Sequence, residues 1–401
     1  MAKSPLRLIL TAATALGLSA TTGLAQDDTP IRFGGMSSVS GGGAGIGAMA
    51  MVGYRLAVDE LNQKGGVLGR RVELVEADTQ TNPTHAVSEL RRLVDSQEVK
   101  ALMGPATSQE AIPVSDLAKD MNILQITTAA STDLTPDRGP LHFSLSPLGV
   151  DQMIPNVDYA LNVLGATKLA IISDNGGMSK SGVADLLAYL DQKGIQPVAV
   201  QEFAFKTEDL TPQLFSMRRA GAEAVLLINS LYDDSARLLQ NRAEIGWEVP
   251  VLGNLTTVSN ARTIAANIGA DAMQGVYGTM FVGTTYCPGD AEGSSAYAQY
   301  VAHARAAYPD IDRVGGPASV AQFYLAPIIA AAAAEGAGST DGQAMADWIT
   351  GQDKIDTILG PLGGDPDSHF LPGLPAMAMV KEPHLVRDDG TYLRADCPEA
   401  G

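Results

Sequence analysis

Small polar residues stand at two junctions where an apolar run gives way to a helical pattern. Thr107-Ser108 follow Val99–Met103, and Ala129-Ala130-Ser131 follow Ile123–Ile126. A helix N-terminus leaves backbone N–H groups without intrahelical partners and aims them at whatever lies beyond the strand end. Helix N-capping by Ser or Thr explains either junction alone. Two of them at adjacent strand ends favour a bound ligand. A third junction is rich in glycine, Ser40–Gly47, and its Gly43, Gly45 and Ala48 fit the G-x-G-x-x-A pattern that can seat a pyrophosphate. The acidic partner of that pattern belongs about 20 residues on, yet the next strand ends at Asp78, well past it. The stretch therefore reads as a flexible loop over a cleft, not a dinucleotide site. G-x-S-x-G, H-E-x-x-H and S-x-x-K have no supported occurrence, and no two carboxylates form a recognisable acid–base pair. The five histidines (His85, His142, His303, His369, His384) lack ligand spacing. No catalysis, metal or cofactor is expected.

The elements that position these residues alternate in type. Strands are read at Ile31–Met36, Arg71–Ala77, Val99–Met103 and Ile123–Ile126. Helices are read at Met49–Lys64, after Asn82-Pro83 as cap and first position, and at Ser108–Asp120. The alternation resumes with Lys168–Ser173, Ser181–Lys193, Pro197–Phe203, a helix opened by Thr211-Pro212, Ala224–Asn229, Asp233–Ile245 and Val251-Leu252. Helices follow near Ser295–Tyr308 and Ala318–Glu335, and then a tail of turns and short strands from Gly360. Strands alternating with helices of this length make parallel sheets with helices on both faces. The 401 residues suit two such domains.

The composition is 45% apolar and 18% charged, which is globular. The net charge of −18, or −20 without Lys3 and Arg7, argues against nucleic acid and against an anionic membrane surface. Residues 1–25 read as an export signal: Lys3 and Arg7, the apolar run Leu8–Leu18, then Gly23-Leu24-Ala25 before Gln26. Ala326–Ala334 is too short to span a bilayer and fits a buried helix. An exported chain meets an oxidising compartment, so Cys287 and Cys397 are expected to pair.

Taken together, several stretches resemble one family. They are Ala57–Asn62 with Gly65-Gly66 and Gly69, Asp78 with Asn82-Pro83, Gly104-Pro105 with Thr107-Ser108, Ile126–Ser131, Asp209–Leu227 and Gly360–Leu362. In order and spacing they are similar to the leucine/isoleucine/valine-binding (type I) periplasmic solute-binding proteins of ABC importers. The resemblance implies an α/β fold of two doubly wound parallel-sheet lobes joined by three crossover strands, near Phe143–Leu148, Gly275–Met280 and Ile358–Leu362. Lobe 1 would hold residues 27–145 plus 280–358 and lobe 2 residues 146–279 plus 359–401, with the ligand cleft between them.

The same resemblance implies a monomeric periplasmic carrier that hands a small ligand, an amino acid or other small carboxylate, to a membrane permease. A ligand-sensing ectodomain or amide sensor of the same fold is the alternative. Ser108 and Ser131 would give hydroxyl and N–H groups to the ligand's carboxylate, with backbone contacts from Ala129 beside Thr107 and Ala130. Ile46 and Met178 stand where the family often has aromatic residues, whereas Tyr232 keeps the aromatic of lobe 2. Leu255 falls near the carboxylate that receives an amino acid's ammonium, so a carboxylate with an uncharged far end is favoured. Asp174 or Asp233 would restore an ammonium site if either side chain reaches the cleft.

Overall fold

The computed structural model describes residues 29–397. The export signal read over residues 1–25, and its cleavage site before Gln26, lie outside them. The first α/β run is β1 (Ile31–Ser37), α1 (Ala44–Gln63), β2 (Val72–Asp78), α2 (Pro83–Arg91), β3 (Ala101–Met103), α3 (Ser108–Ala118), β4 (Leu124–Thr127) and β5 (His142–Ser144). The second is α4 (Ile154–Asn162), β6 (Leu169–Asp174), α5 (Gly177–Gln192), β7 (Ala199–Phe203), α6 (Thr211–Arg219), β8 (Ala224–Ile228), α7 (Tyr232–Glu244), β9 (Val251–Gly253), α8 (Leu255–Ser259), α9 (Ala261–Ile268) and β10 (Val276–Phe281). After these come β11 (Thr285–Tyr286), α10 (Ala296–Ala307), α11 (Pro317–Ala337), α12 (Gly342–Thr350), β12 (Ile355–Thr357), β13 (Gly360–Leu362), β14 (Met377–Lys381) and β15 (Tyr392–Leu393).

One sheet runs β2-β1-β3-β4-β5 and is parallel throughout; the other runs β14-β10-β9-β8-β6-β7, parallel except for β14 against β10. Central strands are apolar on both faces: every residue of β6 and of β8 is buried. The edge strands β2 and β7 alternate toward solvent, as covered sheets require. In the first lobe α1, α11 and α12 cover one face of the sheet and α2 and α3 the other. In the second, α4 and α5 lie opposite α6, α7 and α9. Among the described residues the chain passes between the sheets three times: after β5, after β10, and between β13 and β14. The crossings are laced together, since Ser144 N–H donates to His369 O at 2.8 Å and Gly283 N–H to Leu359 O at 3.0 Å. His142 and His369 are structural here. The His369 ring stacks on Phe143 at 4.3 Å, and burial pulls the His142 pKa down to about 3.

Several local expectations change. α1 starts at Ala44 rather than Met49, so Gly45 and Gly47 are helical. The glycine stretch is a tightly packed helix start rather than a flexible loop. Gly43 N–H donates to Thr81 Oγ1 at 2.9 Å, and a β-carbon on Gly47 would lie 2.1 Å from Ser38 O. At α6, Leu210 holds the cap position and Thr211-Pro212 are already helical. The Thr211 N–H is taken by Asp209 Oδ1 at 2.9 Å. By length and composition α11 is apolar enough to cross a membrane, but it is a core helix. Its backbone approaches α1 so closely that a β-carbon on Gly53 would sit 2.6 Å from Phe323 Cβ. Cys287 and Cys397 are joined by a disulfide with a Cα separation of 5.6 Å. Beside it the tail leaves the second sheet: β15 pairs with β11, and Tyr392 joins the core of the first lobe.

Candidate ligand-binding cleft

The strand ends of the two sheets face each other across a cavity of about 100 Å³. From the first lobe come Ile46 at the start of α1, Thr107 and Ser108 at the start of α3, and Thr128 and Ala130 after β4. From the second come Met178 on α5, Ser230 to Asp233 entering α7, and Leu255 entering α8. The cleft walls touch. A β-carbon on Gly45 would lie 3.0 Å from Tyr232 Cε1, and one on Gly177 would lie 3.3 Å from Ser108 Cβ.

Ser108 is the first residue of α3, where backbone N–H groups lack intrahelical partners. Its Oγ accepts from Ala130 N–H at 3.1 Å, which leaves its proton for an acceptor in the cavity. Thr107 lines the cavity but turns its hydroxyl inward to Glu110 Oε2. Glu110 is fully buried in the first turn of α3 and also accepts from Ser38 Oγ at 2.9 Å. A carboxylate there already answers the positive end of the helix, so Ser108 is the hydroxyl of this pair left for a ligand.

Ala129 and Ser131 do not reach the cavity. The Ala129 N–H donates to Thr127 Oγ1 at 3.1 Å and its carbonyl accepts from Ser144 Oγ at 2.6 Å. Ser131 is fully buried, and its Oγ accepts from Asp133 N–H at 3.3 Å in a local turn. The second junction thus closes on itself, and Ala130 and Thr128 supply its share of the wall. Asp174 is also engaged elsewhere: it accepts the N–H groups of Gly176 and Ser230, tying the ends of β6 and β8 together. Asp233 does line the cavity, at its exposed rim, and Tyr232 beside it has a pKa raised by burial and then by the Asp233 charge. These two are the ionisable side chains in the lining; it holds no lysine or arginine.

Sequence reading missed the polar floor. Gln152 accepts from Leu255 N–H at 3.3 Å, and Gln322 donates to Leu145 O at 2.8 Å and Ser146 Oγ at 2.7 Å. Ser319 lies 2.8 Å from Asn260 Oδ1 and 2.9 Å from Ser259 O, across the lobes. Ser319 and Gln322 stand one turn apart on a largely apolar helix, and that interruption was the available signal.

This architecture recurs in known proteins. The chain is 27% identical over 359 residues to the amino acid binding protein of Pseudomonas aeruginosa, covering 88% of this chain and 89% of that one. It is 27% identical over 288 residues to Leu/Ile/Val-binding protein homolog 7 of Brucella abortus, covering 69% and 72%. The branched-chain amino acid transporter substrate binding protein of Streptococcus pneumoniae, solved with isoleucine, superposes with a TM-score of 0.74 at 21% identity, over 91% of this chain and 98% of that one. A solute binding protein of an ABC transporter from Rhodopseudomonas palustris, solved with 3,4-dihydroxybenzoic acid, gives 0.76 at 19%, over 91% and 96%. At these identities the solved structures establish the fold. Residues 30–381 match the periplasmic binding protein family, and the chain belongs to that family.

Proposed function

We propose that this protein is the periplasmic substrate-binding component of an ABC importer. It works as a monomeric carrier without a chemical step, and its ligand is a small carboxylate with an apolar or aromatic body. The lobes follow the crossings after β5, after β10 and between β13 and β14, with β15 back on the first lobe, and ligand holds them closed. The supporting observation is the lining: Ser108 offers a hydroxyl and N–H groups at a helix end, while Ile46, Met178 and Leu255 surround the rest with apolar surface. Burying such a body is favourable by about 25 cal/mol per Å². Burying an ammonium against Leu255 costs several kcal/mol unless a carboxylate meets it. Relatives of this fold are compatible with both chemistries, one holding isoleucine and another 3,4-dihydroxybenzoic acid.

Asp233 carries the second reading, an α-amino acid whose ammonium pairs with that carboxylate at the rim. Calorimetry with isoleucine, 3-methylpentanoate and 4-hydroxybenzoate separates the two. Binding of either acid lacking an amino group supports the carboxylate reading. Tight binding of isoleucine with none of the other two, lost in Asp233→Asn, replaces it with the amino-acid reading. If no carboxylate of either kind binds, both are wrong.

A further inference from the structure

A second cavity, of about 370 Å³, lies beside the first and shares Tyr232 and Ser259 with it. Its walls come from both lobes: Arg262 on α9 faces Arg305 on α10, Arg313 and the start of α11. The whole chain has 27 basic residues against 45 acidic ones, yet this wall holds three arginines and one acid, Asp312. The sign of the charge is reversed locally, and opposite a lobe interface. Arg262 makes no ion pair or hydrogen bond through its guanidinium among the described residues. Arg305 donates to a neutral carbonyl, Asp388 O, at 2.6 Å. Arg313 has one exposed pairing, to Asp310 at 3.4 Å.

Two further features point the same way. α11, 21 residues long, opens onto this cavity behind Gly315 and Gly316 (φ 101° and 85°), with no side chain capping its first N–H groups. Those groups and the helix dipole favour negative charge. Tyr297, 1% exposed, belongs to the same wall, and its hydroxyl has no hydrogen-bond partner. Buried hydroxyls without partners are uncommon because they forfeit a hydrogen bond to water.

We infer that this cavity is an oxyanion subsite, for a carboxylate or a phosphate-like group, and that its occupant bridges the lobes in the closed state. The shared wall of Tyr232 and Ser259 allows two sources. The oxyanion is either the distal carboxylate of a longer ligand whose near end sits in the first cavity, or a separate inorganic anion. The first source rests on the carboxylate function proposed above; the second does not.

Calorimetry on the full-length exported protein tests this with 3-methylpentanoate, suberate and inorganic phosphate as probes. The proteins are wild type, Arg262→Gln, Arg262→Lys and Tyr297→Phe. A suberate affinity that falls about tenfold in Arg262→Gln, with 3-methylpentanoate unchanged and partial recovery in Arg262→Lys, assigns the subsite to a bridging ligand. Phosphate binding that weakens likewise, and that tightens the binding of 3-methylpentanoate to wild type, assigns it to a separate anion. Tyr297→Phe should weaken the same probe as Arg262→Gln; Arg262 is exposed, so that variant keeps the fold if Tyr297→Phe does not. If Arg262→Gln changes neither suberate nor phosphate binding, the subsite does not exist. If neither 3-methylpentanoate nor 4-hydroxybenzoate binds wild type, the carboxylate function proposed above falls and the phosphate result stands or falls by itself.

Discussion

Two glycines, two positions apart on α1, should respond oppositely to the same substitution. The atoms nearest a β-carbon on Gly45 belong to Tyr232 of the other lobe, with Cε1 at 3.0 Å. Carbon pairs are comfortable at about 3.5–4.0 Å, so the ring must retreat by about 0.5–1 Å. Tyr232 is packed against the cores of both lobes, so that movement is resisted. Overpacking of this kind costs about 1–3 kcal/mol, and here only when the cleft is shut. Within the open protein, alanine in a helix is better than glycine by up to about 1 kcal/mol. Gly45→Ala is therefore expected to melt no lower than wild type without ligand, and to bind ligand about tenfold more weakly, the equivalent of about 1.4 kcal/mol. Gly47→Ala is the contrast, because its methyl would lie 2.1 Å from Ser38 O within one lobe. That variant should lose stability with or without ligand. Calorimetry and thermal denaturation of both decide it. An unchanged ligand affinity in Gly45→Ala, or a lowered melting temperature before ligand is added, would refute the closure geometry.

Other perturbations separate parts of the structure. Ser108→Ala should weaken binding by about 1–3 kcal/mol, the range for a hydrogen bond to a charged group, whereas Ser131→Ala should leave affinity unchanged in the same titration because its hydroxyl serves a local turn. Replacing Cys287 and Cys397 by serine opens a link across 110 residues, and should lower the unfolding free energy by about 2–5 kcal/mol in chemical denaturation; a wild type indifferent to reductant would count against it. Asp234 has a pKa raised to about 7, first by burial and then by Asp174 and Asp233. The folded state thus holds a proton that the unfolded state releases near 3.8, so stability falls as pH rises toward 7 and the loss is complete above it. Asp234→Asn should flatten that decline and raise the melting temperature at pH 8.

The sheets and most helices were legible because their signals are local and repeated. Apolar runs such as Ala224–Ile228, short and bounded by helical patterns, fit strands buried on both faces, and Asn82-Pro83 fixes a helix start by hydrogen-bond chemistry, with His85 N–H donating to Asn82 Oδ1 at 3.0 Å. The glycine stretch misled because glycine signals freedom in isolation, while here it permits close approach to Ser38 just before it and to Tyr232 far along the chain. The site was half legible for a related reason. A hydroxyl at a strand end can face a ligand or close a local turn, and nothing adjacent in sequence says which. Ser108 receives Ala130 N–H from the neighbouring loop, whereas Ser131 is claimed by Asp133 two residues on. The Ser38 contact of Glu110 was invisible because the two residues meet only in the fold, whereas its Thr107 contact has the local T-x-x-E spacing.

On the proposed function, the polar floor leaves the balance between open and shut cleft to the ligand rather than to the protein's own hydrogen bonds. Three acceptors surround the single proton of Ser319: Asn260 Oδ1 at 2.8 Å, Ser259 O at 2.9 Å and Gly315 O at 3.0 Å. Two lie in the opposite lobe and one on its own. The Gly315 acceptor on its own lobe would keep this proton paired if the lobes parted. Gln322 bonds to Leu145 and Ser146 beside the first crossing, and Gln152 to Leu255 within the second lobe, so neither pairing has to break. Hydrogen bonds of this kind differ little in free energy between open and closed forms, because each loss has a local replacement. A ligand shifts the equilibrium only by its differential affinity for the two forms. In this cleft that differential comes from surfaces that meet when it closes, with Ile46 and Ser108 on one side and Tyr232, Met178 and Leu255 on the other.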